Sequence, residues 1–188
     1  GSMPTFSENA SLSTIKLNNN NLTGALPTTG FVESNNVQFF LASGNSLSGS
    51  IPDFSGSSYN QIIMNSNSFT GSFPNLSQCP NLKRFHISGS NLSGYTVGSL
   101  STNTKLESLI LTGNNFTASE GTAIIQDLYD NYVANPRSGV TATITNQNGL
   151  SEFSIINSGS GVGVDSTESK LIVLRSNGWT INLDSGLV

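Results

Sequence analysis

The chain of 188 residues has few of the residues on which catalytic and metal sites are built. It contains one cysteine, Cys79, and one histidine, His86, which excludes an internal disulfide and any cysteine- or histidine-rich metal site. Charged residues make up only 10% of the sequence, and its net charge of −4 argues against a nucleic-acid partner. No apolar run is long enough to cross a membrane. We therefore expect no metal, no cofactor and no membrane insertion.

One pattern is present five times. Apolar residues recur with the spacing L-x-x-L-x-L, an asparagine or serine follows three positions later, and L-x-G completes four of the five copies. The asparagine position is occupied in turn by Asn20, Asn45, Asn67, Ser90 and Asn114. Successive members lie 25, 22, 23 and 24 residues apart. A period of this length indicates a solenoid of stacked repeats.

The pattern also predicts where the side chains of each repeat lie. The L-x-L residues alternate as in a strand, so their apolar members point inward and meet the equivalent residues of the neighbouring coils. The first coil would bury Leu12, Ile15, Leu17, Leu22 and Leu26. The asparagine follows the strand, where its amide can satisfy backbone groups of the turn and of the next coil. We predict a structural ladder of Asn20, Asn45, Asn67, Ser90 and Asn114, with Ser90 as its weaker member.

The L-x-G-x-[LIF]-P ending of the first three copies resembles the plant-type subclass of leucine-rich repeats. The resemblance implies an α/β repeat fold, namely a right-handed leucine-rich-repeat solenoid with a parallel concave sheet and a helix-containing C-terminal cap. Plant receptor ectodomains with this repeat begin with a disulfide-stapled cap, and no cysteine precedes Leu12, which argues against a plant immune or hormone receptor. The scaffold itself carries no single function, because it serves many unrelated binding tasks.

We divide the chain into three parts. Residues 1–11 are interpreted as an expression scar and a partial N-terminal cap, residues 12–117 as five leucine-rich repeats, and residues 118–188 as irregular helix and strand rungs that form the C-terminal cap. Capping both ends matters in a solenoid, because an open end exposes apolar side chains and strand edges. Cys79, just before Pro80, is expected to be a small buried filler.

Helical spacing in the last part predicts two helices. The first covers residues 122–134, with Ser119 as its N-cap, and the second covers residues 166–176, with Gly178 as its C-terminal cap. Alternation and turn residues predict strands over 140–145 and 179–183, a turn at 148–149 and a flexible loop over 157–163.

The second predicted helix and the Asn-Gly-Trp-Thr-Ile segment after it, residues 168–183, resemble the ending of leucine-rich-repeat segments in bacteriophage tail and surface proteins and in bacterial adhesins. The resemblance implies a non-enzymatic recognition module at the extracellular or virion surface, the host- or glycan-binding part of a phage or viral structural protein. One alternative is a bacterial cell-surface adhesin. Another is a virion assembly or decoration protein whose concave face and N-terminal edge pack on other subunits.

The residues between the inward leucines predict the binding surface. The central column of the sheet would present Lys16, Leu41, Ile63, His86 and Ile110. Solvated sheet faces are usually polar, so an apolar patch here points to a partner, a host surface protein or glycan. The predicted ligand-binding residues are Phe39, Leu41, Ile63, Arg84, His86 and Ile110. Phe39 could stack on a sugar, and Asn18 and Asn65 could bond to it. The alternatives are that the parallel sheet tolerates these residues or that another subunit covers them.

Catalytic candidates are few. In the neighbouring coils Ile63 and Ile110 stand where an acid could orient His86. The acidic residues Asp53, Glu107, Asp127, Asp130 and Asp165 show no paired spacing for glycoside hydrolysis. The glycine-rich segment 159–163 lacks the Lys-Ser/Thr of a phosphate loop. We predict no catalytic residues.

Overall fold

A computed structural model describes residues 1–6, 11–28, 36–54, 58–145, 147 and 166–183. The described chain winds through short strands, one or two to a coil, and adds two helices near the C-terminus. In chain order the elements are β1 Thr14–Lys16, β2 Thr23–Gly24, β3 Phe39–Leu41, β4 Ser46–Gly49, β5 Gln61–Ile63, β6 Ser68–Gly71, β7 Arg84–His86, β8 Asn91–Leu92, β9 Ser108–Ile110, α1 Ala118–Ala134, β10 Thr141–Ile144, α2 Thr167–Ser176 and β11 Thr180–Leu183.

The concave sheet holds the strands in the order of the chain, β1-β3-β5-β7-β9-β10-β11, and all its pairs are parallel. The middle residue of each early strand aligns with that of the next, so Ile15, Phe40, Ile62, Phe85 and Leu109 form one inward column. None of these five side chains is more than 4% exposed. Coils that stack in this register share one continuous apolar core, as the repeat predicts.

The first coil is less well buried than the pattern predicts. Ile15 and Leu26 are in the core, whereas Leu12, Leu17 and Leu22 are only partly buried against it. The equivalents of Leu17 in the next two coils, Ala42 and Met64, are fully buried because they have a coil on each side. Residues 1–3 pack on this first coil: the backbone of Ser2 bridges to Thr23, and the Met3 side chain is 6% exposed.

A second, four-stranded sheet, β2-β4-β6-β8, runs where the chain turns away from the concave side. Strands β2, β4 and β6 contain the glycine of the L-x-G motif, and β8 ends two residues before it. Gly94 shows why that position is glycine: its φ is +87°, and a Cβ there would lie 2.8 Å from the Ser72 Oγ. The other motif glycines share the positive φ, so the turn itself favours glycine at this position, and at Gly94 the neighbouring coil adds a steric reason.

The asparagine column bonds successive coils together. The Asn67 Nδ2 donates to the Met64 carbonyl of its own coil and to the Ala42 carbonyl of the preceding coil, both at 3.0 Å. Its Oδ1 accepts the Leu47 N–H at 3.0 Å. Asn45 and Asn114 make the equivalent three bonds. Asn20 is exposed and, within the described chain, donates only to carbonyls of its own turn.

Two positions of the column depart from asparagine. Ser90 is buried, and its Oγ has no hydrogen-bond partner among the described residues. Gln147, which was not predicted to belong to the column, occupies the equivalent position one coil beyond Asn114. Its Nε2 donates to the Leu111 carbonyl, and its Oε1 accepts the Phe116 N–H. The sequence signal was its place three residues after the inward Ile144.

We expect the Ser90→Asn substitution to stabilise the protein by about 1 kcal/mol, a typical net value for a buried hydrogen bond. By the repeat, an asparagine amide would donate to the Met64 and Ile87 carbonyls, which Asn67 and Asn114 also bind, and would accept the Phe69 N–H, the equivalent of the Leu47 and Leu92 N–H groups. Chemical denaturation of both proteins measures the difference. Ser90→Ala is the control and should change stability by less than about 0.5 kcal/mol, since the Oγ lost has no described partner. A destabilised Ser90→Asn protein would contradict the prediction.

Both C-terminal helices are present, but the start and the N-cap of α1 were predicted wrongly. Helix α1 begins at Ala118, not at residue 122, and Thr117 rather than Ser119 is its N-cap. The reason is a capping box: the Thr117 Oγ1 accepts the Glu120 N–H, and the Glu120 Oε2 accepts the Thr117 N–H. The end of α1 at Ala134 is confirmed. The predicted turn at 148–149 and loop at 157–163 lie outside the described residues.

Helix α2 is confirmed over Thr167–Ser176, with Ser166 as N-cap. Gly178 has a φ of +82°. Its N–H donates to the Arg175 carbonyl, and the Trp179 N–H donates to the Leu174 carbonyl, which is the Schellman arrangement. This turn leads directly into β11, so the glycine cap predicted from the sequence is confirmed.

Helix α1 is tied to the repeats by a carboxylate. Asp127 is fully buried and accepts the Tyr95 hydroxyl at 2.6 Å, the Gly98 N–H at 2.8 Å and the Leu100 N–H at 2.9 Å. These donors belong to the loop after β8, on the neighbouring coil. Burial, followed by the nearby Asp127 carboxylate, raises the pKa of Tyr95 far above its ordinary value, so the hydroxyl remains a donor.

Cys79 is buried, as predicted, and its thiol donates to the Phe54 carbonyl at 3.1 Å. In the part of the chain that the structure describes, no three His, Cys, Asp or Glu side chains are grouped so that they could hold a metal ion. Neither α1 nor α2 in that part is long and apolar enough to cross a membrane.

Candidate functional site

The structure places the predicted ligand-binding residues next to one another on the concave sheet. The strand register aligns Lys16, Leu41, Ile63, His86 and Ile110 in one column. The column beside it contains Thr14, Phe39, Gln61, Arg84 and Ser108. We call Phe39, Leu41, Ile63, Arg84, His86 and Ile110 the concave patch. Its strands, β3, β5, β7 and β9, each pair with a neighbour on both sides, so we expect the patch to be rigid.

The apolar members of the concave patch are less exposed than the sequence alone suggests. Phe39, Leu41, Ile63 and Ile110 are all half-buried. The largest exposed apolar side chains in the described residues lie elsewhere: Val97, Val133 and Ile172, at 61%, 57% and 58% exposure. Strands of one sheet lie only about 4.8 Å apart, so neighbouring side chains cover part of each other. The concave patch therefore exposes only part of each apolar side chain to a partner.

The polar members of the concave patch are already engaged with neighbours. The His86 Nε2 lies 2.8 Å from the Ser108 Oγ on the adjacent strand. Arg84 lies 3.8 Å from the Glu107 carboxylate, and Lys83 lies 3.1 Å from it. Glu107 immediately precedes β9. Arg84 therefore lies between Glu107 on one side and His86 on the other. Burial, and secondly the Arg84 charge, lower the pKa of His86, which keeps its imidazole neutral near pH 7.

We expect the pKa of His86, measured from its ring proton resonances by NMR, to lie below the ordinary value of 6.5. As the only histidine, it can be assigned without ambiguity. Arg84→Gln removes the second cause and should raise this pKa part of the way back. Because the His86 pKa is lower in the folded protein, the unfolded chain binds the proton more readily. Protonation of His86 therefore favours unfolding, and the free energy of unfolding decreases as the pH falls below 6.5.

The comparison for this experiment is Lys16→Gln, which removes a charge from the same column three strands away. That variant should leave the His86 pKa nearly unchanged, since screening is strong over such distances. A pKa of His86 at or above 6.5 in the wild-type protein would contradict the prediction.

The asparagines beside the patch are partly engaged. Asn18 accepts the Ser43 N–H at 2.9 Å through its Oδ1, and Asn65 accepts the Ser88 N–H at 2.8 Å in the same way. These bonds link neighbouring strands just after the concave column. The two side chains, suggested by the sequence as hydrogen-bonding groups for a glycan, therefore contribute to the scaffold.

Comparison with known proteins places the chain by its structure. No protein-family model matches the chain, and no curated protein does. The ectodomain of the Arabidopsis thaliana receptor kinase GASSHO1/SCHENGEN3, solved in complex with CASPARIAN STRIP INTEGRITY FACTOR 2, is similar. It is 25% identical, covers 72% of this chain and 16% of its own, and has a TM-score of 0.57. The BIR3–SERK2 complex from Arabidopsis thaliana is 28% identical over 55% of this chain and 56% of that chain, with a TM-score of 0.49.

The present chain thus spans a small part of the GASSHO1/SCHENGEN3 ectodomain and little more than half of the other. The parallel sheet that follows chain order and the likeness to the GASSHO1/SCHENGEN3 ectodomain lead to one description of the architecture. The chain has the fold of a leucine-rich-repeat solenoid, with a parallel concave sheet and a helix-containing C-terminal cap.

Proposed function

We propose that the chain is a non-enzymatic, extracellular recognition module whose concave patch binds a protein partner. The observation that carries the proposal is the alignment of Phe39, Leu41, Ile63 and Ile110 on adjacent strands of one rigid sheet. The GASSHO1/SCHENGEN3 ectodomain, which is similar in structure, was solved with CASPARIAN STRIP INTEGRITY FACTOR 2. That likeness supports binding of a protein by this fold. It lends no support to a phage, viral or adhesin origin, so the proposal stops at the recognition module.

Rigidity makes such a patch effective despite its modest exposure. Side chains that are half-buried before binding have already lost much of their conformational freedom, so little entropy is lost when a partner orders them. Binding energy at interfaces is concentrated in a few well-packed apolar and arginine residues. Phe39 and Leu41 are the best candidates for such anchors, because they lie side by side on β3.

The experiment selects peptides from a random display library on the wild-type protein and measures their affinity for defined variants. Phe39→Ala/Leu41→Ser should weaken the selected peptides at least about tenfold, because each buried apolar side chain contributes about 1.5–3 kcal/mol and about 1.4 kcal/mol is tenfold. Val133→Ala/Ile172→Ser is the matched control, since it removes two exposed apolar groups from the helices. This control should bind as the wild type does.

Equal affinity of the wild-type and the Phe39→Ala/Leu41→Ser proteins for the selected peptides would contradict the proposal. Two further measurements address the other partners. If the wild-type protein binds glycans on an array and the Phe39→Ala/Leu41→Ser protein does not, the ligand of the concave patch is a sugar and not a protein. If light scattering shows a stable oligomer and the Leu41→Ser/Ile63→Ser substitutions dissociate it, the concave patch serves subunit assembly and not partner recognition.

A further inference from the structure

A small pocket lies beside the concave patch, where the chain enters strands β7, β9 and β10. Its volume is about 280 Å³. Its apolar lining comes from Leu106 and Val140, which are buried in the core. Four charged residues also line it: Lys83, Lys105, Glu107 and Arg137. Pockets for whole small molecules usually start at about 300 Å³, so this one suits a single side chain of a larger partner.

The charge at this pocket is opposite to that of the chain. The whole sequence carries −4, with only seven cationic residues, yet three of those seven line the pocket with one carboxylate. That carboxylate, Glu107, is shared between Lys83 at 3.1 Å and Arg84 at 3.8 Å. Lys83, Arg84 and Glu107 have side chains 46–47% exposed, and ion pairs this exposed are weak. An incoming anion can therefore compete for Lys83.

The two other cations face neutral groups. The Arg137 guanidinium donates to the Leu106 carbonyl, to the Asn131 Oδ1 at 2.6 Å and to the Asn135 carbonyl, and it lies 5.0 Å from the centre of the Trp179 ring. The Lys105 Nζ donates to the Asn81 Oδ1 at 2.7 Å. Within the described ranges neither cation forms an ion pair.

Arg137 is also partly withdrawn from water, and this burial lowers its pKa from the ordinary value. Its three oxygen acceptors and the Trp179 ring replace part of the hydration that burial removes, but none of them carries a negative charge. A carboxylate placed in the pocket would supply that missing charge, with apolar walls strengthening the attraction.

We propose that this basic pocket binds an aspartate or glutamate side chain of the protein partner while the concave patch holds the partner's apolar residues. The inference rests on the proposed function for the presence of a protein partner. The shared edge favours one occupant for both sites, since Lys83 in the pocket is followed directly by Arg84 of the patch. The partner would thus be a peptide segment in which an acidic residue neighbours apolar ones.

The test uses a short peptide with a run of glutamates and the same peptide with glutamines as its reference, each titrated into the isotope-labelled protein. The glutamate peptide should shift the backbone amide resonances of residues 105–107 and 138–140, and the glutamine peptide should not. Lys83→Gln/Lys105→Gln, which changes two exposed residues, should weaken the glutamate peptide at least about fivefold. Lys16→Gln/Lys170→Gln removes the same charge away from the pocket and should weaken it less than about twofold.

Equal weakening by the two double variants would overturn the proposal, because it would mean diffuse attraction instead of a site. Tighter binding of a short oligonucleotide through the same lysines would also overturn it in favour of a phosphate ligand. The two proposals can fail separately. If binding of the selected peptides requires Phe39 and Leu41 but not Lys83 and Lys105, the proposal for the pocket is wrong and the proposal for the concave patch is retained. If the glutamate peptide shifts the pocket amides while Phe39→Ala/Leu41→Ser binds normally, the concave patch falls.

Discussion

Replacing Asp127 with alanine is expected to lower the free energy of unfolding by about 3–5 kcal/mol, because three donors lose their carboxylate acceptor and each buried donor left unsatisfied costs about 1–3 kcal/mol. The carboxylate is fully buried and accepts the Tyr95 hydroxyl and the Gly98 and Leu100 N–H groups. Alanine would leave the buried Leu100 N–H and the partly buried Tyr95 and Gly98 donors without this acceptor, and it would open a void between α1 and the neighbouring loop. Urea denaturation followed by circular dichroism measures the loss.

Asp130→Ala, one turn further along the same helix, provides the comparison. Among the described residues its carboxylate accepts only from the Gln126 side chain, at 2.8 Å and within the same helix, so the loss should stay below about 1 kcal/mol. Tyr95→Phe removes a single donor and should fall between the two. Asp127→Ala and Asp130→Ala proteins of equal stability would show that the bonds between α1 and the loop do not hold the cap in place.

Asp127 shows what the sequence could not reveal. In the sequence it is one of several acidic residues without paired spacing. Its role could not be predicted because its hydrogen-bond partners lie 27–32 positions earlier, in a loop outside the periodic pattern. The start of α1 was missed for a more local reason. Ser119 alone looks like a cap, but Thr117 combines with Glu120 into a box that satisfies two backbone groups at once.

The parallel sheet, by contrast, was predictable because every coil repeats the same physical constraint. An L-x-L segment whose apolar residues must meet those of the next coil can only align in register, and this alignment also places Phe39, Leu41 and Ile63 together on the outer face. What alternation does not give is the degree of exposure of these side chains. It also does not reveal that Glu107 approaches Arg84, since that contact depends on where the chain enters the next strand.

Replacing Asn114 with alanine is expected to lower the free energy of unfolding by about 2–4 kcal/mol, since it removes three buried hydrogen bonds and leaves a buried N–H without its acceptor. Asn114 is fully buried, donates to the Ile87 and Leu111 carbonyls at 2.7 and 2.9 Å, and accepts the Leu92 N–H at 3.2 Å. Two of these bonds cross to the preceding coil, so their loss weakens the interface between coils. Denaturant titration of both proteins gives the value.

Asn20→Ala is the matched control, because it is the same substitution at the same position of the repeat. Asn20 is exposed and bonds, in the described chain, only to its own turn, so its replacement should change stability by less than about 0.5 kcal/mol. Asn45 makes bonds equivalent to those of Asn114 but is half-buried, and its loss should lie between the two. Equal losses at all three positions would mean that the amides act within single turns, and that the stability of the solenoid does not arise at the interfaces between its coils.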